Sequence, residues 1–174
     1  MPELPEVETI ARQLNDVLRE KIVNRIVVYR DKVFSGEPVS LVGAKVSRVS
    51  RRAKMIVVEF EKRDEILQVH LKMTGQLIFV DGEKRVVGGH PTSDWVKSLP
   101  SKHTRVEVIF EDGAKLYFND MRAFGWMRIV SRTQEHDESR TQVPDVVDEE
   151  FSLDYFGKVL KKYKLGTTGT YLGG

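Results

Sequence analysis

Three residues at the start of the chain have the types and spacing for covalent catalysis: Pro2, Glu3 and Glu6. Met1 precedes a small residue, so removal of the initiator methionine would leave Pro2 with a free secondary amine. An α-amino group titrates at about 7.7–8.0, far nearer neutrality than a lysine, so a useful fraction is nucleophilic at physiological pH. A secondary amine that adds to a carbonyl-like carbon gives a cationic iminium, which acts as an electron sink. Glu3 follows directly, and Glu6 lies one helical turn on. Carboxylates at i and i+3 share a helix face, which sets proton-transfer groups beside the amine. The same letters also read as an ordinary acidic helix start, with Pro5 in the first turn and Glu3, Glu6 and Glu8 favoured by the dipole.

The elements that must position these groups are legible as periodicities. Val7, Ile10, Ala11, Leu14 and Leu18 follow the spacing of one buried helix face. After Glu20 the period changes to that of strands. Eight short segments rich in Val, Ile and Phe are expected: 22–29, 44–49, 55–60, 66–71, 76–80, 105–110, 115–118 and 126–130. Asp81-Gly82 and Asp112-Gly113 are hairpin chemistry. The expected fold is mainly β with flanking helices: an antiparallel eight-stranded β-sandwich with an N-terminal helix. Gly88 to His103 shows no period and reads as a long surface loop. Residues 1–130 form the expected sandwich domain, and the polar, acidic stretch 131–149 reads as a linker. Beyond it, Phe156, Val159, Leu160 and Tyr163 space as a second helix, and the tail GTTGTYLGG is expected to fray.

Composition narrows the classes of function. The chain has 174 residues, no cysteine, 31% charged residues and a net charge of +2. Disulfides, thiolate nucleophiles and cysteine-based zinc sites are excluded. Neither a leader peptide nor an apolar run of membrane-spanning length is evident, so a cytoplasmic monomer without membrane partners is expected. The modest net charge conceals a division: residues 1–130 carry 22 Lys+Arg against 18 Asp+Glu, and 131–149 carry 2 against 6. No acid falls between Glu37 and Glu59, while Lys45, Arg48, Arg51, Arg52 and Lys54 all do. Such a stretch suits a polyanion, or else a strand edge protected from aggregation by its charges.

Five segments then point to one family. MPELPEVET at residue 1, RRAK ending at Lys54, HLKMTGQL at 70–77, KHTRVEVIF from Lys102 and NDMRAFG at 119–125 occur in the order found in bacterial formamidopyrimidine-DNA glycosylases, which this chain resembles over residues 1–130. The resemblance implies excision of oxidised purines, chiefly 8-oxoguanine and formamidopyrimidines, from damaged double-stranded DNA, followed by strand cleavage by elimination. It implies that Pro2 attacks the anomeric carbon of the sugar to form a Schiff base. Glu3 would handle protons at the sugar, and Glu6 would support the N-terminal site. Lys54 and His70 would contact phosphates beside the flipped nucleotide. Met73, Arg122 and Phe124 would fill the gap in the duplex, recovering part of the stacking lost on base flipping.

Two features depart from the family pattern. Ala123 stands where a second basic residue is common, and Lys72 replaces a small residue. The region from about residue 150 resembles only the start of the family's helix-two-turn-helix domain, and the cysteines of its zinc finger have no counterpart. No cofactor is therefore expected in this chain, and weak DNA binding with little or no glycosylase activity is expected of it alone. Two other readings compete. One is an endonuclease VIII-like glycosylase for oxidised pyrimidines. The other is a β-sandwich DNA-binding module without catalysis, which retention of Met1 would favour.

Overall fold

In the computed structural model, residues 1–134 are described. The second helix, the frayed tail and most of the acidic linker expected from the sequence lie outside the described residues. The chain opens with α1 (Leu4–Leu18). Ten strands follow: β1 (Val23–Val28), β2 (Phe34–Ser35), β3 (Val46–Arg52), β4 (Met55–Phe60), β5 (Glu65–His70), β6 (Gly75–Asp81), β7 (Lys84–Gly89), β8 (Thr104–Phe110), β9 (Lys115–Asp120) and β10 (Trp126–Ser131). They form two five-stranded sheets, ordered β1-β8-β9-β6-β7 and β2-β10-β5-β4-β3. Among the described residues, no helix is long and apolar enough to cross a membrane.

All eight strands expected from the sequence are present, within three residues at either end. Two more were not legible. β2 has only two residues, too few for a period, and forms the one parallel pairing among the described residues, with Met127 and Arg128 of β10. β7 ends in Gly88-Gly89, a turn signal by composition, yet it pairs antiparallel with β6 throughout. The glycines serve close approach instead. A Cβ on Gly88 would lie 2.5 Å from Ile10 Cγ1. Gly89 has φ +107°, and its Cβ would lie 2.4 Å from the Gly75 carbonyl. The stretch after Gly89 is also not a free loop. His103 Nδ1 lies 2.8 Å from a buried Asp94 carboxylate, and Arg85 donates to the Trp95 carbonyl at 2.8 Å.

Burial follows the sequence periods. Val7, Ile10, Ala11, Leu14 and Leu18 are all buried, as are Phe60, Phe79 and Phe118 between the sheets. α1 packs against β3 and β7, each the last strand of its sheet. The helix therefore covers two edges that would otherwise offer unpaired backbone groups. Asn15 Oδ1 accepts from the Val49 backbone at 2.9 Å, and the Arg51 guanidinium, only 1% exposed, donates to Glu8 at 2.9 Å. These polar ties fix where the N-terminus of α1 lies relative to the β3–β4 turn.

Candidate functional site

Register explains how distant segments meet. β5 and β6 lie in different sheets, so the chain crosses the sandwich between His70 and Gly75. β9 and β10 do the same between Asp120 and Trp126. Because Gly75 pairs with Asp120 and Trp126 pairs with His70, the two crossings run side by side. Met55 pairs with His70 from the other flank, which places the β3–β4 turn and Lys54 at the same end. Gly125 permits this crowding: a Cβ there would lie 2.8 Å from the His70 carbonyl and 2.9 Å from Phe118 Cζ.

The N-terminus reaches this end of the sandwich. Pro2 is buried and Met1 exposed. A cleft of about 120 Å³ is lined by Met1, Pro2, Glu6, Gly89, His90 and Pro91. The Glu6 carboxylate accepts from the Glu3 backbone N–H at 2.8 Å, half of a capping box. Glu6 thus holds the backbone next to Pro2. Glu3 points outward, with its carboxylate 3.9 Å from Lys54 Nζ, a distance at which solvent screens most of the attraction.

His70 is held as a neutral hydrogen-bond donor. Burial lowers its pKa to about 4, with the charges of Lys72 and Lys54 adding to the effect. Its Nδ1 accepts from the Lys72 backbone N–H at 3.0 Å, so the ring proton resides on Nε2. The imidazole also lies against Trp126, with ring centroids 5.6 Å apart. Lys72 itself adopts φ +50°, a left-handed conformation that a lysine occupies at a cost.

Met73 and Phe124 are 45% and 53% exposed, too much for core residues of their size. The Arg122 guanidinium stacks over the Phe124 ring at 4.7 Å. Ala123, between them, has φ +52° and is packed into the core. Position 123 therefore faces inward here. Pro2, Glu3, Glu6, Lys54, His70, Met73, Arg122 and Phe124 all belong to segments that the register and these contacts bring to one end.

The basic stretch 45–54 is less uniform than its sequence suggests. Lys45 pairs with Glu20 and Glu61, and Arg51 is buried against Glu8. Burial opposes ionisation of Glu8, but hydrogen bonds from Arg51 and Arg12 outweigh it and hold the carboxyl below its ordinary value. Arg48 remains exposed on edge strand β3.

Three contributors were not singled out from the sequence. His90 lines the Pro2 cleft, and its carbonyl accepts from the buried Gln76 amide. Met121 is 43% exposed beside Arg122. Asp120 is buried under the second crossing. Only Asp120 carried a sequence signal, as the aspartate opening a loop, where its side chain can bond its own backbone two residues on. Among the described residues, no cluster of His, Asp or Glu could hold a metal ion.

Comparisons with known proteins bear on the family and the fold. The family description "Formamidopyrimidine-DNA glycosylase N-terminal domain" matches residues 1–127. A formamidopyrimidine-DNA glycosylase of Lactobacillus johnsonii is 31% identical over 99% of this chain and 59% of its own length. One from Actinobacillus pleuropneumoniae is 32% identical over 89% of this chain and 52% of its own. The chain thus spans just over half the length of these relatives. Among solved structures, Lactococcus lactis Fpg in complex with DNA containing an abasic site superposes with TM-score 0.71 at 23% identity, covering 92% of this chain and 56% of that one. Its complex with DNA containing N7-benzyl-Fapy-dG gives the same TM-score and identity; likeness at that identity speaks for the fold. The family match over residues 1–127 and the whole-chain identity to curated relatives together place this chain in the formamidopyrimidine-DNA glycosylase family.

Proposed function

We propose that this chain is the catalytic portion of a DNA base-excision repair glycosylase that removes oxidised purines from duplex DNA and nicks the resulting abasic site. The observation that carries the reading is the convergence of the Pro2 cleft with an exposed Met73, Arg122 and Phe124 wedge at one end of the sandwich. A base extruded from the stack needs both: a reactive group at its sugar, and side chains to occupy the gap it leaves.

The chemistry follows from the residues. With Met1 removed, the Pro2 nitrogen adds to the anomeric carbon of the deoxyribose. The bond from that carbon to the base breaks, and the base departs with the bonding electrons and takes up a proton. The nitrogen sheds its proton, and its lone pair forms the iminium as the bond from the anomeric carbon to the ring oxygen breaks; that oxygen takes up a proton and the sugar ring opens. Loss of a proton from the adjacent sugar carbon sends electrons toward the next carbon–oxygen bond, and the 3′ phosphate leaves. Glu3, at the sugar side of Pro2, handles these protons. Glu6 keeps the Glu3 backbone in place. Lys54 and the Nε2–H of neutral His70 meet the backbone phosphates. A phosphate is the partner that a neutral imidazole donor and a lysine can share without mutual repulsion.

Borohydride reduction with a duplex containing an abasic site tests the reading, with intact mass establishing loss of Met1. The expected result is a covalent protein–DNA adduct that a Pro2→Gly variant forms much less of. A Met1-free sample that gives no adduct overturns the Schiff-base chemistry. Comparison of 8-oxoguanine with thymine glycol duplexes checks the lesion: faster nicking of the second would favour the endonuclease VIII-like reading.

A further inference from the structure

The Met73 loop and the Arg122–Phe124 loop are two separate crossings, yet a wedge must enter DNA as one body. The element that joins them is a buried carboxylate. Asp120 is 1% exposed and lies between the crossings. One of its oxygens accepts from the Arg122 backbone N–H at 3.1 Å and from the Thr74 hydroxyl. The other accepts from the Gly125 N–H at 2.7 Å. The Thr74 hydroxyl oxygen also accepts from the Arg122 N–H at 3.3 Å. Thr74 directly follows Met73, and Arg122 and Gly125 bracket Phe124. From the far side, the Arg105 guanidinium donates to the Asp120 carbonyl at 2.8 Å and to the Met121 carbonyl at 3.4 Å. Hydrogen bonds to a charged, buried acceptor are among the stronger ones, and here they are spent on loop backbone rather than on the core.

We infer that Asp120, through Thr74, is the positioning residue that yokes the two wedge loops, so that Met73 and the Arg122–Phe124 pair enter the duplex gap as a preorganised unit. The inference rests on the proposed reading of these side chains as a DNA wedge. Its physical content is entropic. Loops ordered before binding do not pay for their ordering on the DNA, so loss of the yoke weakens only the complexes in which the wedge is inserted. Asp120 touches neither base nor sugar in this scheme.

Two variants separate the yoke from the fold. Thr74→Val is nearly isosteric and removes the bond between loops while leaving Asp120 its two amides. Asp120→Asn turns one acceptor into a donor facing an N–H. The readouts are binding to a duplex with a tetrahydrofuran abasic site, binding to the same duplex intact, and amide hydrogen exchange of the free protein. The expected result for Thr74→Val is roughly a ten-fold loss of preference for the abasic duplex, with affinity for intact duplex unchanged. In Asp120→Asn, the Arg122 and Gly125 amides should exchange faster while those of β6 and β9 stay slow. Equal losses on both duplexes, or no loss, would overturn the yoke, as would unchanged exchange at Arg122 and Gly125 in Asp120→Asn. If the wild-type protein shows no preference for the abasic duplex, the wedge reading itself fails, and this inference with it.

Discussion

His70 couples the stability of this domain to pH in a range where few other groups act. In the unfolded chain its imidazole takes up a proton near 6.5. In the fold, burial, with Lys72 and Lys54 adding their charges, delays that until about 4. Between these values the unfolded state binds more protons, so stability falls as pH drops from 7 and is regained as pH rises. Between pH 7 and pH 5 the shift amounts to about 2 kcal/mol, a large part of a small domain's margin. Urea unfolding at pH 7, 6 and 5 measures the loss, and a His70→Gln variant isolates it, because every other group titrates alike in both proteins. The wild type should lose about 2 kcal/mol more than the variant over that interval. Parallel losses, or an NMR titration placing the His70 ring near 6.5, would refute the account of a neutral, half-buried imidazole held by Trp126 and the Lys72 backbone.

Further expectations follow from neighbouring contacts. Lys72→Gly should stabilise the protein by about 1 kcal/mol, because glycine accepts φ +50° without strain. The same change should raise the His70 pKa toward its ordinary value, read in the same titration. Arg51→Met should cost about 1–2 kcal/mol in denaturant unfolding, since it leaves Glu8 with Arg12 alone and removes the ties from Arg51 to Glu8 and to the Ala53 carbonyl that hold the β3–β4 turn to α1. Glu8, held below its ordinary pKa by Arg51 and Arg12 against burial, supports the fold above about pH 4.5 and loses that support as pH falls through its lowered value; Arg51→Met should reduce this acid-side loss. Gly125→Ala should cost about 3 kcal/mol, because its Cβ meets the His70 carbonyl, a backbone atom that cannot swing aside.

The sequence by itself determined the elements and the family. The buried face of α1 was readable because five apolar residues recur at helical spacing, and eight strands were readable because alternating Val, Ile and Phe segments end at turn chemistry. The N-terminal Pro2, Glu3 and Glu6 stood out as candidates because a terminal amine is chemically distinct wherever the chain goes. Local pattern could not reveal β7, whose Gly88 and Gly89 look like a turn until α1 and β6 are seen pressed against them. It also could not show that Arg51 belongs to the fold while Arg48 faces solvent, since both are arginines on one strand. Nor could it show Asp120 bonding Thr74, 46 positions earlier in the chain. Those outcomes were decided by the pairing of Gly75 with Asp120 and of His70 with Trp126. A residue's type fixes which bonds it can make, but only the register of strands from different parts of the chain fixes which partners come within reach.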